Sequence, residues 1–117
     1  MSFISKVQQG PNFKAPKASK NPARLSAIHG LPCVICYAYG EPQNSPTQAH
    51  HVIHGRYSTA KASDDHTIAL CEGHHQGDFD TTKLALHRDK AEWARVYGED
   101  HEFIALTNDM LAGELNK

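Results

Sequence analysis

Hydrophobic and polar positions divide the chain into a patternless N-terminal stretch and a run of short elements. Residues 1–22 hold Pro11, Pro16 and Pro22, scattered lysines and few apolar positions. Neither a helical nor a strand period survives there, which predicts a flexible arm. Asn21-Pro22 reads as a helix start, with Asn21 as N-cap and Pro22 in the first turn. A short helix through Ala23, Leu25 and Ile28 would end at Gly30. Tyr37 to Thr47 carries Gly40, Pro42, Asn44 and Pro46 and reads as a loop. Gln48–His54 and His66–Leu70 read as two strands that can pair as an antiparallel hairpin across the polar connection Tyr57–Asp65. A turn from Glu72 leads into a short helix carrying His74 and His75. A last helical stretch takes in Leu84, Leu86, Trp93, Val96 and Tyr97 and ends near Gly98. Trp93 and Tyr97 are four apart on one helical face and belong to the core. A further amphipathic segment offers Phe103, Ile104, Leu106, Met110 and Leu111. The pattern predicts an α+β fold: an arm over residues 1–22 and one domain over residues 23–117.

Composition adds a constraint. At 117 residues and 39 % apolar the chain can build one modest core, and small cores often need a staple such as a metal. Three cysteines cannot all pair, and no signal peptide is read. Both point to a reducing compartment in which thiolates are ligands rather than disulfides. No apolar run approaches the roughly 20 residues that span a bilayer.

Charge matters by its layout. The net charge is −1, yet Lys6, Lys14, Lys17, Lys20 and Arg24 all precede the first acidic residue, Glu41. A basic arm ahead of a near-neutral domain suits phosphate binding and predicts DNA as partner. Arg56, Lys61 and Arg88 can reach phosphates nearer the domain's own chemistry.

That chemistry lies in the cysteines and histidines. Cys33-x2-Cys36 and Cys71-x2-His74 have the paired knuckle spacing of a four-ligand zinc site, which predicts a structural Zn2+ on Cys33, Cys36, Cys71 and His74. A structural zinc has no use for the histidines beside them. His50 and His75 can hold a second, open divalent ion, Mg2+ or similar, with His51 as general base for water. His50 and His51 are adjacent on a strand, so their side chains take opposite sides unless the strand bends. Asp64, Asp65, Asp78 and Asp80 are spread out and read as caps and surface groups.

Cys33-x2-Cys36, Ala49-His50-His51, Asp65-His66 and Leu70-Cys71-x2-His74-His75, in that order, resemble the HNH endonuclease motif in its zinc-stabilised ββα-metal form. Gly55, Lys61-Ala62-Ser63-Asp64, Asp80, Leu86-His87-Arg88 and Trp93-x3-Tyr97-Gly98 are similar to the phage-encoded Ref-type recombination-enhancement nucleases, which depend on RecA. The resemblance implies a metal-dependent DNA endonuclease in the cytoplasm of a bacterial host, with a RecA filament as possible partner. It implies His51 as base and His50 and His75 as ligands of the catalytic ion. His66 stands where most such motifs have Asn, as a brace or a further catalytic group. His54 and His87 have no role in the motif. The rival readings are a non-enzymatic zinc-knuckle DNA-binding module and a nuclease toxin separated from its targeting domains.

Overall fold

A computed structural model describes residues 19–115. Lys6, Lys14 and Lys17, and with them most of the arm, lie outside the described residues. Helix α1 (Pro22–Ile28) starts as its sequence predicts: the Asn21 side chain accepts the Arg24 N–H and Pro22 fills the first turn. Helix α2 (Val34–Tyr39) follows, so the expected loop from Tyr37 begins as helix. It stops at Gly40, whose φ of 68° suits a residue without Cβ.

Strands β1 (Thr47–His51) and β2 (Thr67–Cys71) pair antiparallel, with Thr47 opposite Cys71 and His51 opposite Thr67. Both strands are displaced from their predicted bounds for a hydrogen-bonding reason. Val52 still donates its N–H to the His66 carbonyl, but Ile53 and His54 donate theirs to the Asp100 carboxylate, so β1 ends at His51 rather than His54. His66 sits in a turn, its N–H given to the Ser63 carbonyl. Helix α3 (Glu72–His75) continues directly from β2.

The expected helix from Leu84 forms only as α4 (Lys90–Tyr97), capped by Asp89 through the Glu92 N–H. Residues Leu86 and His87 instead run alongside α3 and donate their N–H groups to the carbonyls of His74 and His75. Those carbonyls close a four-residue helix and have no partner within it. A turn at Asp100–Phe103 leads into α5 (Ile104–Leu115).

The hairpin is the centre of the molecule. One face, bearing Thr47, His51 and Thr67, meets α1. Arg24 clips it there: its Nε and one terminal nitrogen donate to the Thr67 side chain and carbonyl, and the other terminal nitrogen to Asn108 of α5. The other face, bearing Gln48, His50, Ile68 and Leu70, meets α3. Every residue of β2 is therefore buried. Trp93 is fully buried, as its helical spacing with Tyr97 predicts, and joins Ile28, Ile35, Val52, Ile68, Leu70 and Leu86 in the core. Among the described residues no helix is long and apolar enough to cross a membrane.

Candidate metal centres and the adjoining histidine

The two knuckles share one construction. Cys33 is the N-cap of α2 and Cys71 the N-cap of α3, so Cys36 and His74 fall in the first turn of each helix, turned back toward the cap. Gly73 makes the second knuckle possible: a Cβ there would lie 2.5 Å from a carboxylate oxygen of Asp80. The antiparallel register carries Cys71 back to Thr47, beside the segment that leads from α2.

The four ligand atoms converge. His74 Nδ1 lies 3.5, 3.6 and 3.4 Å from the sulfurs of Cys33, Cys36 and Cys71, and the Cys36 and Cys71 sulfurs are 3.9 Å apart. A tetrahedral zinc with ordinary bond lengths would set S···N edges of about 3.6 Å and S···S edges of about 3.8 Å. All four residues are buried, and the group can hold a metal such as zinc.

The remaining nitrogen of His74 supports this fit. Nε2 is 3.2 Å from Glu41 Oε1, and Lys83 Nζ is 3.5 Å from the same oxygen. A carboxylate behind the imidazole fixes its tautomer and turns Nδ1 to the sulfurs. No local spacing points to Glu41 in this role. Without a cation the three thiols compete. The thiol of Cys33 donates to Cys71 and is pushed well above the usual thiol range, while burial pushes Cys36 up to about 11. That same bond from Cys33, with help from His74, pulls Cys71 down to about 3. One thiolate is accommodated here, and two more need a positive ion among them.

A second group forms on the α3 face of the hairpin, and it has three histidines rather than two. Ligand nitrogens of His50, His75 and His87 all lie within 4.8 Å of one another. His87, with no role in the motif, comes from the turn beside α3 that precedes α4. Its position depends on the bond from its N–H to the His75 carbonyl, which no side-chain spacing reveals. His50 Nε2 is 2.8 Å from Asp100 Oδ2, leaving Nδ1 for an ion. His75 Nδ1 is 2.7 Å from Gln48 Oε1, leaving Nε2. Burial, followed by repulsion from His50 and His87, holds His75 down to about 3. Burial and then His50 lower His87 too. Both rings are therefore neutral, with lone pairs available. His50 and His75 are buried and His87 is exposed, so the group opens to solvent on one side.

Three imidazole donors are a poor match for Mg2+ itself. That ion takes oxygen ligands, whereas imidazole suits zinc, nickel, copper or iron.

Asp100, although a carboxylate, is fully buried. Burial opposes its charge, but bonds from His50 and from the N–H groups of Ile53 and His54 outweigh that and hold its carboxyl down to about 2. His54 is structural: its Nδ1 accepts the Asp100 N–H, and its Nε2 is 3.0 Å from the Lys90 carbonyl. Asp100→Ala should leave two backbone donors and His50 without their acceptor. Its expected cost is about 3–5 kcal/mol, the range for breaking a buried pair. Chemical denaturation measures it, and a loss below about 1 kcal/mol would mean that the end of β1 reorganises freely.

His51 stands apart from both groups. It keeps the strand alternation and lies on the α1 face, half-exposed, with Nε2 2.7 Å from Asp64 Oδ1. That bond, and then the Asn21 N–H, holds the Asp64 carboxyl below the usual carboxylate range. Asp64 is thus tied into the histidine network rather than being a plain surface group. His66 packs on Tyr57, ring centroids 5.3 Å apart, and belongs to neither metal-ligand group. Lys20, Arg56, Lys61 and Arg88 are exposed, though Arg56 also lies over the Tyr57 ring. Arg24, expected on DNA, has its guanidinium engaged by Thr67 and Asn108.

Residues 10–112 match the family described as "Protein of unknown function (DUF968)". No curated protein and no solved structure matches the chain.

Proposed function

The chain belongs to the DUF968 family, and we propose that it is a divalent-metal-dependent DNA endonuclease of the HNH type. The observation that carries this is the half-open three-histidine group on one face of β1, with the carboxylate-bonded His51 as the very next residue. A DNA-binding module held by one structural metal has no use for either feature.

His50, His75 and His87 would hold the ion. When bound, it supplies a positive charge to offset charge developing on the scissile phosphate. His51 is the proton acceptor. It takes a proton from a water whose oxygen bonds to phosphorus as the bond to the leaving oxygen breaks, and that oxygen is protonated from solvent. His50 and His51 are the last two residues of β1, so a phosphodiester lying across the end of the strand meets groups from both faces. Asp100 and Gln48 hold the ligand rings. Lys20, Lys61, Arg56 and Arg88, with the arm lysines, supply sequence-independent affinity.

The deciding experiment is incubation of supercoiled and single-stranded DNA with the zinc-loaded full chain and added Mn2+, Ni2+ or Mg2+. Metal-dependent nicking that is lost in His87→Ala supports the proposal. Binding without cleavage under every ion would leave the DNA-binding module as the better description. Action on a RecA filament rests on the resemblance alone, and the same assay with RecA and ATP tests it.

The arm should act through charge. Deleting residues 1–18 removes Lys6, Lys14 and Lys17 and spares the Ser19–Asn21 bonds to the hairpin. Affinity should fall, and the log–log salt slope should flatten by about 0.7–0.9 for each phosphate that the shortened chain no longer neutralises. An unchanged slope would place the DNA surface around Arg56, Lys61 and Arg88.

A further inference from the structure

The segment leading out of the arm is fastened to the loop that holds His51. Ser19 donates its N–H to the Ser63 hydroxyl at 3.0 Å, and Asp64 donates its own N–H to the Ser19 carbonyl at 2.9 Å. The Asn21 N–H donates to Asp64 Oδ2 at 2.7 Å, and the Asn21 side-chain amide to Asp65 Oδ1 at 2.8 Å. From β2, the Thr67 hydroxyl donates to the Asp64 carbonyl at 2.7 Å. These bonds leave Asp64 little freedom. Its two carboxylate oxygens are divided: Oδ2 accepts from the backbone of Asn21 and Oδ1 faces His51 Nε2.

We infer that Asp64 is the positioning residue of His51, and that the Ser19–Asn21 clasp lets it set the imidazole tautomer. An ionised carboxylate only accepts, so the neutral ring must carry its proton on Nε2. Nδ1, which has no hydrogen-bond partner among the described residues, then keeps its lone pair. This inference rests on His51 being the proton acceptor, and it adds which nitrogen accepts and what holds it ready. It also joins the arm to the chemistry, because the residues that follow the basic segment are the ones that fix Asp64.

The division of the two oxygens yields a specific test. In Asp64→Asn the Asn21 N–H still requires an oxygen at the Oδ2 position, so the amide NH2 must face His51. The ring then has to accept at Nε2 and carry its proton on Nδ1, the wrong nitrogen. In Asp64→Ala nothing forces that tautomer. Turnover should therefore fall more in Asp64→Asn, by about four orders of magnitude, than in Asp64→Ala, with KM within a few-fold of the parent in both. A merely structural role would make the alanine variant equal or worse.

Two-bond proton–nitrogen NMR spectra of the zinc-loaded chain report the tautomer without any need for nuclease activity. The parent should show His51 as Nε2–H and Asp64→Asn should show Nδ1–H. A parent spectrum with Nδ1–H overturns the inference even if the variant fails to fold. So does an Asp64→Asn spectrum that retains Nε2–H. The expected spectra in a chain that cuts no DNA would uphold the positioning role while removing the nuclease reading.

Discussion

Replacing Cys71 with serine is expected to cost the chain its bound metal and its cooperative unfolding. Cys71 ends β2, caps α3 and sits 3.4 Å from His74 Nδ1 and 3.9 Å from the Cys36 sulfur. Losing it removes one corner of the tetrahedron and the thiolate most readily formed. Structural zinc contributes about 10–16 kcal/mol in small metal-dependent domains. A whole domain is stable by only about 5–15 kcal/mol. The fold around one two-stranded sheet cannot absorb a loss of that size. Metal content by elemental analysis and a thermal or denaturant melt check the outcome together. A Cys71→Ser chain with the parent's zinc content and melting curve would sink the four-ligand assignment.

His51→Ala should do the opposite: spare the fold and stop the chemistry. The ring is half-exposed, bonds only to Asp64 among the described residues, and is not a ligand in either metal group. We expect a folded, metal-loaded, DNA-binding chain whose cleavage rate is down by at least about a hundredfold, the lower end for loss of a general base. That is about 2.7 kcal/mol in the barrier. Single-turnover cleavage at saturating protein measures it. Activity within a few-fold of the parent would assign the proton transfer elsewhere, and His66, at the turn before β2, would be tested next.

The contrast between these two variants follows what sequence could and could not reveal. The closed site was legible because its ligands come as two local pairs. A cysteine and a ligand three residues on must face one point when the turn between them is a helix cap, whatever the rest of the chain does. Asn21-Pro22 as a helix start and the pairing of the two strands were legible for the same reason, since capping and alternation act over a few residues.

Other features depended on partners far along the chain. His87 reached His50 and His75 only because the short α3 left two carbonyls open and the segment after Thr82 supplied the donors. That bonding replaced the helix its apolar spacing suggested. Asp100 has no local spacing to mark it, yet it ends β1 and orients His50 across fifty positions. Asp64 and Asn21 read separately as a surface group and a helix cap. Only the fold placed Asp64 on His51 and brought Asn21, at the start of α1, onto the same carboxylate. The sequence by itself determined which residue types could hold a metal and where each local pair would point. The tertiary structure decided which long-range carboxylates and carbonyls completed each site. A hydrogen bond between distant residues has no period or spacing to betray it, and its geometry exists only once the core has brought the two segments together.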